Sequence, residues 1–259
     1  MFSKDQALAL RTLNRLWSHE RFVLIGASAM RWHKAARSRE THDIDLVVAL
    51  SLDRFAAGLQ TEPGWSRHPK REQTWLAPGD VSVDIIPVGK VEDVADVMTW
   101  PESGFQMSLV GLRLALNRGV IVEAAPNLTI RVAPLEVIAL LKMVAFLDRP
   151  HERDRDLEDI ALILDEFIDG TDERRYADEI LDLALKYEET SPFLLGKALA
   201  PIVNQLERNL RRQVHRPGQG DRRFDGNAGS DGPERASQLA PGRWGAAGPD
   251  RGARAWIGH

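Results

Sequence analysis

Two aspartates, Asp43 and Asp45, stand one residue apart where the apolar run Leu46-Val47-Val48-Ala49-Leu50 begins. A strand alternates its faces, so residues two apart point the same way. On a strand over residues 43–50 the two carboxylates therefore stand side by side. Like charges this close raise each other's pKa unless a cation lies between them. The chain must fold so that the start of this strand is wet, or so that something positive meets it.

The surroundings of that strand set the fold class. Phe22-Val23-Leu24-Ile25 is a short apolar run ended by Gly26, which predicts a buried strand. Ser28 suits the N-cap of a helix reaching about Ala36, and a second helix is expected over 52–59. Further strands are expected over 73–76 and 81–88, around a Pro78-Gly79-Asp80 turn, and over 120–124 and 128–132, around Pro126-Asn127. From Pro134, well placed for a first helical turn, the pattern is helical throughout. Residues 135–147 are almost continuously apolar, which predicts a helix buried on most sides. Amphipathic helices follow over 152–167, 172–187 and 192–210. The expectation is an α/β (α+β) chain. A catalytic mixed sheet flanked by helices covers residues 1–133, a helical domain covers 134–212, and a cleft separates them.

The remainder, 213–259, is different in kind. From Pro217 onward it holds half of the 20 glycines, with isolated apolar residues and no period. Such a composition predicts disorder. Nine arginines and five acids fall within 211–259, so the body before it carries the net negative charge of the chain. An acidic body argues against a whole-surface DNA binder, while a local basic groove remains allowed. An Arg-rich arm touching RNA or a partner is the functional alternative to a passive tail. The chain has no cysteine, which excludes disulfides and thiolate metal sites. No apolar run approaches the roughly 18 residues of a membrane span, and the first helix pattern lacks the apolar core of a signal peptide. A cytoplasmic protein with no membrane partner is expected.

A third acid, Asp84, lies inside the strand Val81-Ser82-Val83-Asp84-Ile85-Ile86. Charged residues seldom sit mid-strand unless paired or bound to metal. Three strand carboxylates form a hard oxygen set of the kind Mg²⁺ accepts, together with waters and substrate phosphates. A strand end is the plainer reading of Asp43-Ile44-Asp45 by itself. The strand–Gly26–helix unit ahead of it changes the balance, because backbone N–H groups at such a turn attract phosphate. Arg37 and Arg39 between them suit phosphate or carboxylate pairing. Lys142 sits within Leu-Leu-Lys-Met-Val-Ala-Phe-Leu, on one helical stripe with Ile138, Ala145 and Arg149. It either snorkels to the helix edge or points a cation into the cleft. Asp156 and Asp159 share a face near a helix start, where acids are favoured by the helix dipole. They could also orient Lys142 or Arg149.

Taken together, Gly26-Ala27-Ser28, Arg39-Glu40-Thr41-His42-Asp43-Ile44-Asp45-Leu46, Asp84, and Lys142…Asp148-Arg149…Asp156-Leu157-Glu158-Asp159-Ile160 resemble the DNA-polymerase-beta-type nucleotidyltransferase superfamily. Within it they are most similar to the AbiEii/AbiGii nucleotidyltransferases, the toxin-like half of some bacterial toxin–antitoxin and phage-defence pairs. The resemblance implies that Gly26, Ala27 and Ser28 hold a triphosphate. It implies that Asp43 and Asp45 bind two Mg²⁺ ions, and that Asp84 is the third carboxylate, which helps activate the attacking hydroxyl. Lys142 would bind nucleotide phosphate, with Asp156 and Asp159 as its partner motif. Arg39 and Arg149 join the expected nucleotide-binding set. The turn departs from the family's usual Gly-Gly or Gly-Ser, because Ala27 takes the second place. Asp80 is a rival for the third acid, although Pro-Gly neighbours make it a turn residue. The implied reaction moves a nucleoside monophosphate from an NTP to a hydroxyl of a tRNA or a protein, with a cognate antitoxin as partner. An aminoglycoside-type antibiotic-modifying transferase and a non-catalytic nucleotide- or partner-binding module are the alternatives.

Overall fold

The computed structural model describes residues 2–33, 41–89 and 97–214, the side chains of 205–214 excepted. The first helix, α1 (Lys4–Leu16), opens on a capping box in which Ser3 and Gln6 satisfy each other's exposed amides. Its buried stripe of Ala9, Leu10 and Leu13 lies on the sheet. Next come β1 (Phe22–Ile25), α2 (Gly26–Trp32), β2 (Ile44–Val48) and α3 (Leu52–Gln60). They are followed by β3 (Ser66–Arg67), β4 (Thr74–Ala77), β5 (Val81–Pro87), β6 (Val97–Thr99) and β7 (Gln106–Ser108). Then come α4 (Leu112–Arg118), β8 (Val120–Ala125), β9 (Leu128–Val132) and α5 (Leu135–Asp148). The chain closes with α6 (Asp154–Glu166), α7 (Asp178–Asp182) and α8 (Tyr187–Val214).

Seven strands form one mixed sheet in the order β3-β4-β5-β2-β1-β9-β8, and β6 and β7 form a separate hairpin. Strand β2 runs antiparallel to β1 and parallel to β5. All four residues of β1 are buried, as expected for a central strand covered on both faces. The apolar core runs unbroken from the sheet through α5 to Ile163, Leu195 and Ile202. Helix α5 packs against α2 and α4 on one side and α6 and α8 on the other. It joins the sheet to the helices that follow.

Three expectations need correction. Ser28 is not an N-cap: α2 begins two residues earlier, and the Ser28 hydroxyl donates to the Asp43 carbonyl at 2.7 Å. The helix expected over 172–187 is broken into a 3₁₀ turn at Glu173–Tyr176, then α7, then the start of α8. Arg175 is tied into the broken segment. Its guanidinium is buried, stacks on the Tyr187 ring at 4.0 Å and donates to the carbonyls of Tyr187, Ile168 and Asp169. A continuous helix would carry it away from those acceptors. Finally, α5 is buried only over its first half. Leu135, Val137, Ile138, Ala139 and Leu140 are in the core, but residues 141–146 are half-buried and Leu147 is 75% exposed. The apolar second half forms part of a cavity wall.

Candidate functional site

The end of the sheet places the strand acids together. In the parallel pair of β2 and β5, Asp45 stands opposite Asp84, thirty-nine residues away in sequence. Asp43 lies just before β2, and its carbonyl is held by Ser28 and, at 3.4 Å, by the Thr41 hydroxyl. The Asp84 carboxylate accepts a hydrogen bond of 2.5 Å from Thr74, its neighbour across β4.

Gly26 sits between β1 and α2 with φ +63°. A Cβ there would come within 2.8 Å of the Asp45 Cγ and closer still to its Oδ2. The glycine is thus required twice, by its left-handed backbone and by the carboxylate that fills the place of its side chain.

The electrostatics follow from that crowding. Loss of hydration, and then the charge of Asp84, push the Asp45 carboxyl up to about 7, with Lys142 and Arg153 pulling the other way. Burial also raises Asp84, against the Thr74 hydrogen bond and the charge of Arg71. Excess negative charge is therefore concentrated at this end of the sheet, and a cation placed there would relieve it. Among the described residues no group of three or more His, Cys, Asp or Glu side chains is arranged to hold a metal unaided. The set fits an ion that takes one or two carboxylates and draws its other ligands from water and phosphate, as Mg²⁺ does.

A cavity of about 500 Å³ opens beside these acids. Gly26, Asp45 and Asp84 line it, together with Lys142 of α5 and Arg149 just past the end of that helix. Lys142 does not stand free. Its Nζ lies 2.7 Å from a carboxylate oxygen of Asp156 and 2.7 Å from one of Asp159. Burial disfavours its charge, but the two aspartates outweigh that and raise its pKa above the ordinary value. Arg153 completes the network. Its guanidinium lies 3.3 Å from Asp156 Oδ2, close enough for charge attraction but not aligned as a hydrogen bond, and it acts on Asp45 from the cavity wall.

The cavity thus brings Gly26, Asp45, Asp84, Lys142, Arg149 and Asp156 together. Asp159 is tied in through Lys142, and Asp43 lies at the strand entrance. Ala27 and Ser28 belong to the first turn of α2 and do not line the cavity; the Ser28 hydroxyl braces Asp43. Arg39 lies outside the described residues. Asp80 has φ 57° in the turn before β5, away from the lining. Two groups beyond the expected set emerge. Arg153 was visible only as one charge in a charged string. Thr74 could have been found by pairing β4 with β5. The cavity contribution of Phe105 and Met107, from the β6–β7 hairpin, had no local signal.

A mixed sheet carries paired carboxylates on neighbouring strands, with a glycine turn against one of them and a helix-borne lysine lining the same cavity. The family model described as nucleotidyl transferase AbiEii toxin, type IV TA system, matches residues 8–226, and the chain belongs to that family. No curated protein matches it. Among solved structures, the antibiotic-resistance factor ANT(2'')-Ia is similar at 14% identity over 79% of this chain and 98% of its own, with a TM-score of 0.36. An antigenic nucleotidyltransferase-like protein from Paracoccidioides brasiliensis is similar at 14% identity over 78% and 89%, with a TM-score of 0.41. Likenesses this distant add no weight to a functional assignment.

Proposed function

We propose that this nucleotidyltransferase moves a nucleoside monophosphate from an NTP to a hydroxyl group of a tRNA or a protein, as the toxin of a toxin–antitoxin pair. It works in the cytoplasm with Mg²⁺. The observation that carries the reading is the placement of Asp45 opposite Asp84, with Gly26 against one and a cationic wall across the cavity. A module that only bound a partner would have no use for crowded, partly desolvated acids. The match to a toxin family favours the toxin role over an antibiotic-modifying one.

In this reading Asp43, Asp45 and Asp84 hold the metal ions by hard oxygen contacts. Bound Mg²⁺ supplies Lewis-acid polarisation of the phosphate and offsets its charge. Asp84, oriented by Thr74, takes the proton of the acceptor hydroxyl. The hydroxyl oxygen forms a bond to the α-phosphorus, the bond from that phosphorus to the bridging oxygen breaks, and pyrophosphate leaves. Arg153 meets the charge on the phosphates, Arg149 closes the far end of the nucleotide site beside Phe105, and Lys142 is held in place by Asp156 and Asp159. Catalysis is then mostly positioning and electrostatics. The Gly26 turn lets the triphosphate approach the backbone, and Ser28 fixes Asp43.

The test is label transfer. The protein is incubated with each α-labelled NTP, Mg²⁺, and tRNA or cell extract, beside Asp45→Ala. Label on RNA or protein from the wild type alone is expected. Equal, background transfer by both proteins would sink the enzyme reading. Label on a small molecule instead would assign the antibiotic-modifying role.

A further inference from the structure

The second half of α5 poses a physical problem. Leu141 and Val144 pack against the core on one side, yet they and Ala145 stay half-exposed because they also line the cavity. Across from them the β6–β7 hairpin presents Phe105 and Met107, also partly open. The Arg149 guanidinium lies 5.0 Å from the Phe105 ring centroid, so hairpin and helix meet at that corner. An apolar slot is left between the two walls. It is continuous with the charged part of the cavity, because Lys142 stands next to Leu141 and one helical turn from Ala145. Bare phosphate gives no reason for such a slot. Sites for whole small molecules are mostly apolar with a few convergent polar groups, at the volume found here.

We propose that this slot holds the base of the nucleotide, stacked between Phe105 and Met107 of the hairpin and Leu141, Val144 and Ala145 of α5. The inference rests on the cavity being the NTP site. Charge complementarity orients the ligand: the triphosphate belongs with Arg153, Gly26 and the metal-binding acids, which leaves the uncharged base for the apolar end. The base then contributes affinity by stacking and apolar contact. A bare polyphosphate bearing the same charges binds without that contribution.

Equilibrium binding to the full chain with Mg²⁺ tests this, with each NTP and inorganic tripolyphosphate as separate probes. The variants are Phe105→Ala, which removes the stacking face, and Ala145→Trp, which fills the slot. Circular dichroism and melting temperature establish that each has folded. Phe105→Ala is expected to weaken NTP binding by about 5- to 150-fold, the range of a lost base–aromatic stack, and Ala145→Trp by at least as much. Tripolyphosphate binding should stay at the wild-type level in both. Unchanged NTP binding in both variants would place the base elsewhere and overturn the proposal. An equal loss of NTP and tripolyphosphate in Phe105→Ala would also overturn it, because the ring would then be acting on the phosphates. Failure of the wild type to bind either probe would overturn the nucleotide-site reading itself.

Discussion

Replacing Lys142 by methionine separates its structural role from its chemical one. Lys142 is 17% exposed, and its two partners, Asp156 and Asp159, are 5% and 14% exposed. Methionine keeps the length and the apolar stem but removes the charge that both acids contact at 2.7 Å. Arg153 would remain beside Asp156 at 3.3 Å, without a hydrogen bond. Breaking a buried pair by removing one partner costs about 3–5 kcal/mol, because the other charge stays buried. In a chain of this size each kcal/mol lowers the melting temperature by about 2–4 °C, so a fall of about 6–20 °C is expected at pH 7.5. The triple change Lys142→Met, Asp156→Asn, Asp159→Asn removes the stranded charges and should recover most of the loss. Scanning calorimetry of the wild type, the single and the triple variant reads this directly. A single variant melting within about 2 °C of the wild type would refute the claim that the lysine is locked by two buried acids. So would a triple variant no more stable than the single one.

Two further outcomes follow from the crowded acids. Because the folded Asp45 carboxyl is raised to about 7, the folded state binds a proton more strongly than the unfolded chain. Metal-free stability should therefore fall as pH rises from about 4 to about 7. Asp45→Asn should flatten that slope and be more stable than the wild type at pH 8 but not at pH 4; parallel curves in urea melts would refute it. Gly26→Ala must pay for a left-handed backbone, about 1–3 kcal/mol, and must move the Asp45 carboxylate from the place its Cβ would take. A variant that melts at least about 2–12 °C lower and loses label transfer is expected, and full activity would refute the close fit.

Much of the site could be read along the chain, since its strongest signals are local. The two-residue spacing of Asp43 and Asp45 marked the strand entrance, where Asp45 lies in β2 and Asp43 just before it, and the sudden end of an apolar run marked Gly26. Lys142 drew attention as a charge inside a hydrophobic helix. The pairing of Asp45 with Asp84 was beyond reach, because nothing within β2 or β5 says that they are neighbours or in what register. Lys142 was expected to bind phosphate with Asp156 and Asp159 as its partner motif, and its contacts are those two acids of α6. The break before α8 was hidden for a similar reason. The carbonyls that Arg175 meets beside it come together only after the helices have packed.

The sequence by itself determined the central strands, the helices that flank them and the chemistry they can carry: an α/β sheet with strand carboxylates and a glycine turn, followed by helices. These depend on periodicity and backbone preference, which act over a few residues. Tertiary structure decided which charges cancel and which remain, and whether an apolar surface is core or cavity. The second half of α5 shows why. Its Met143, Val144, Ala145, Phe146 and Leu147 are apolar like the first half, and the placement of the β6–β7 hairpin and the sheet end leaves an open space beside that half of the helix. Burial is a property of what meets a surface, and no pattern within one helix records that.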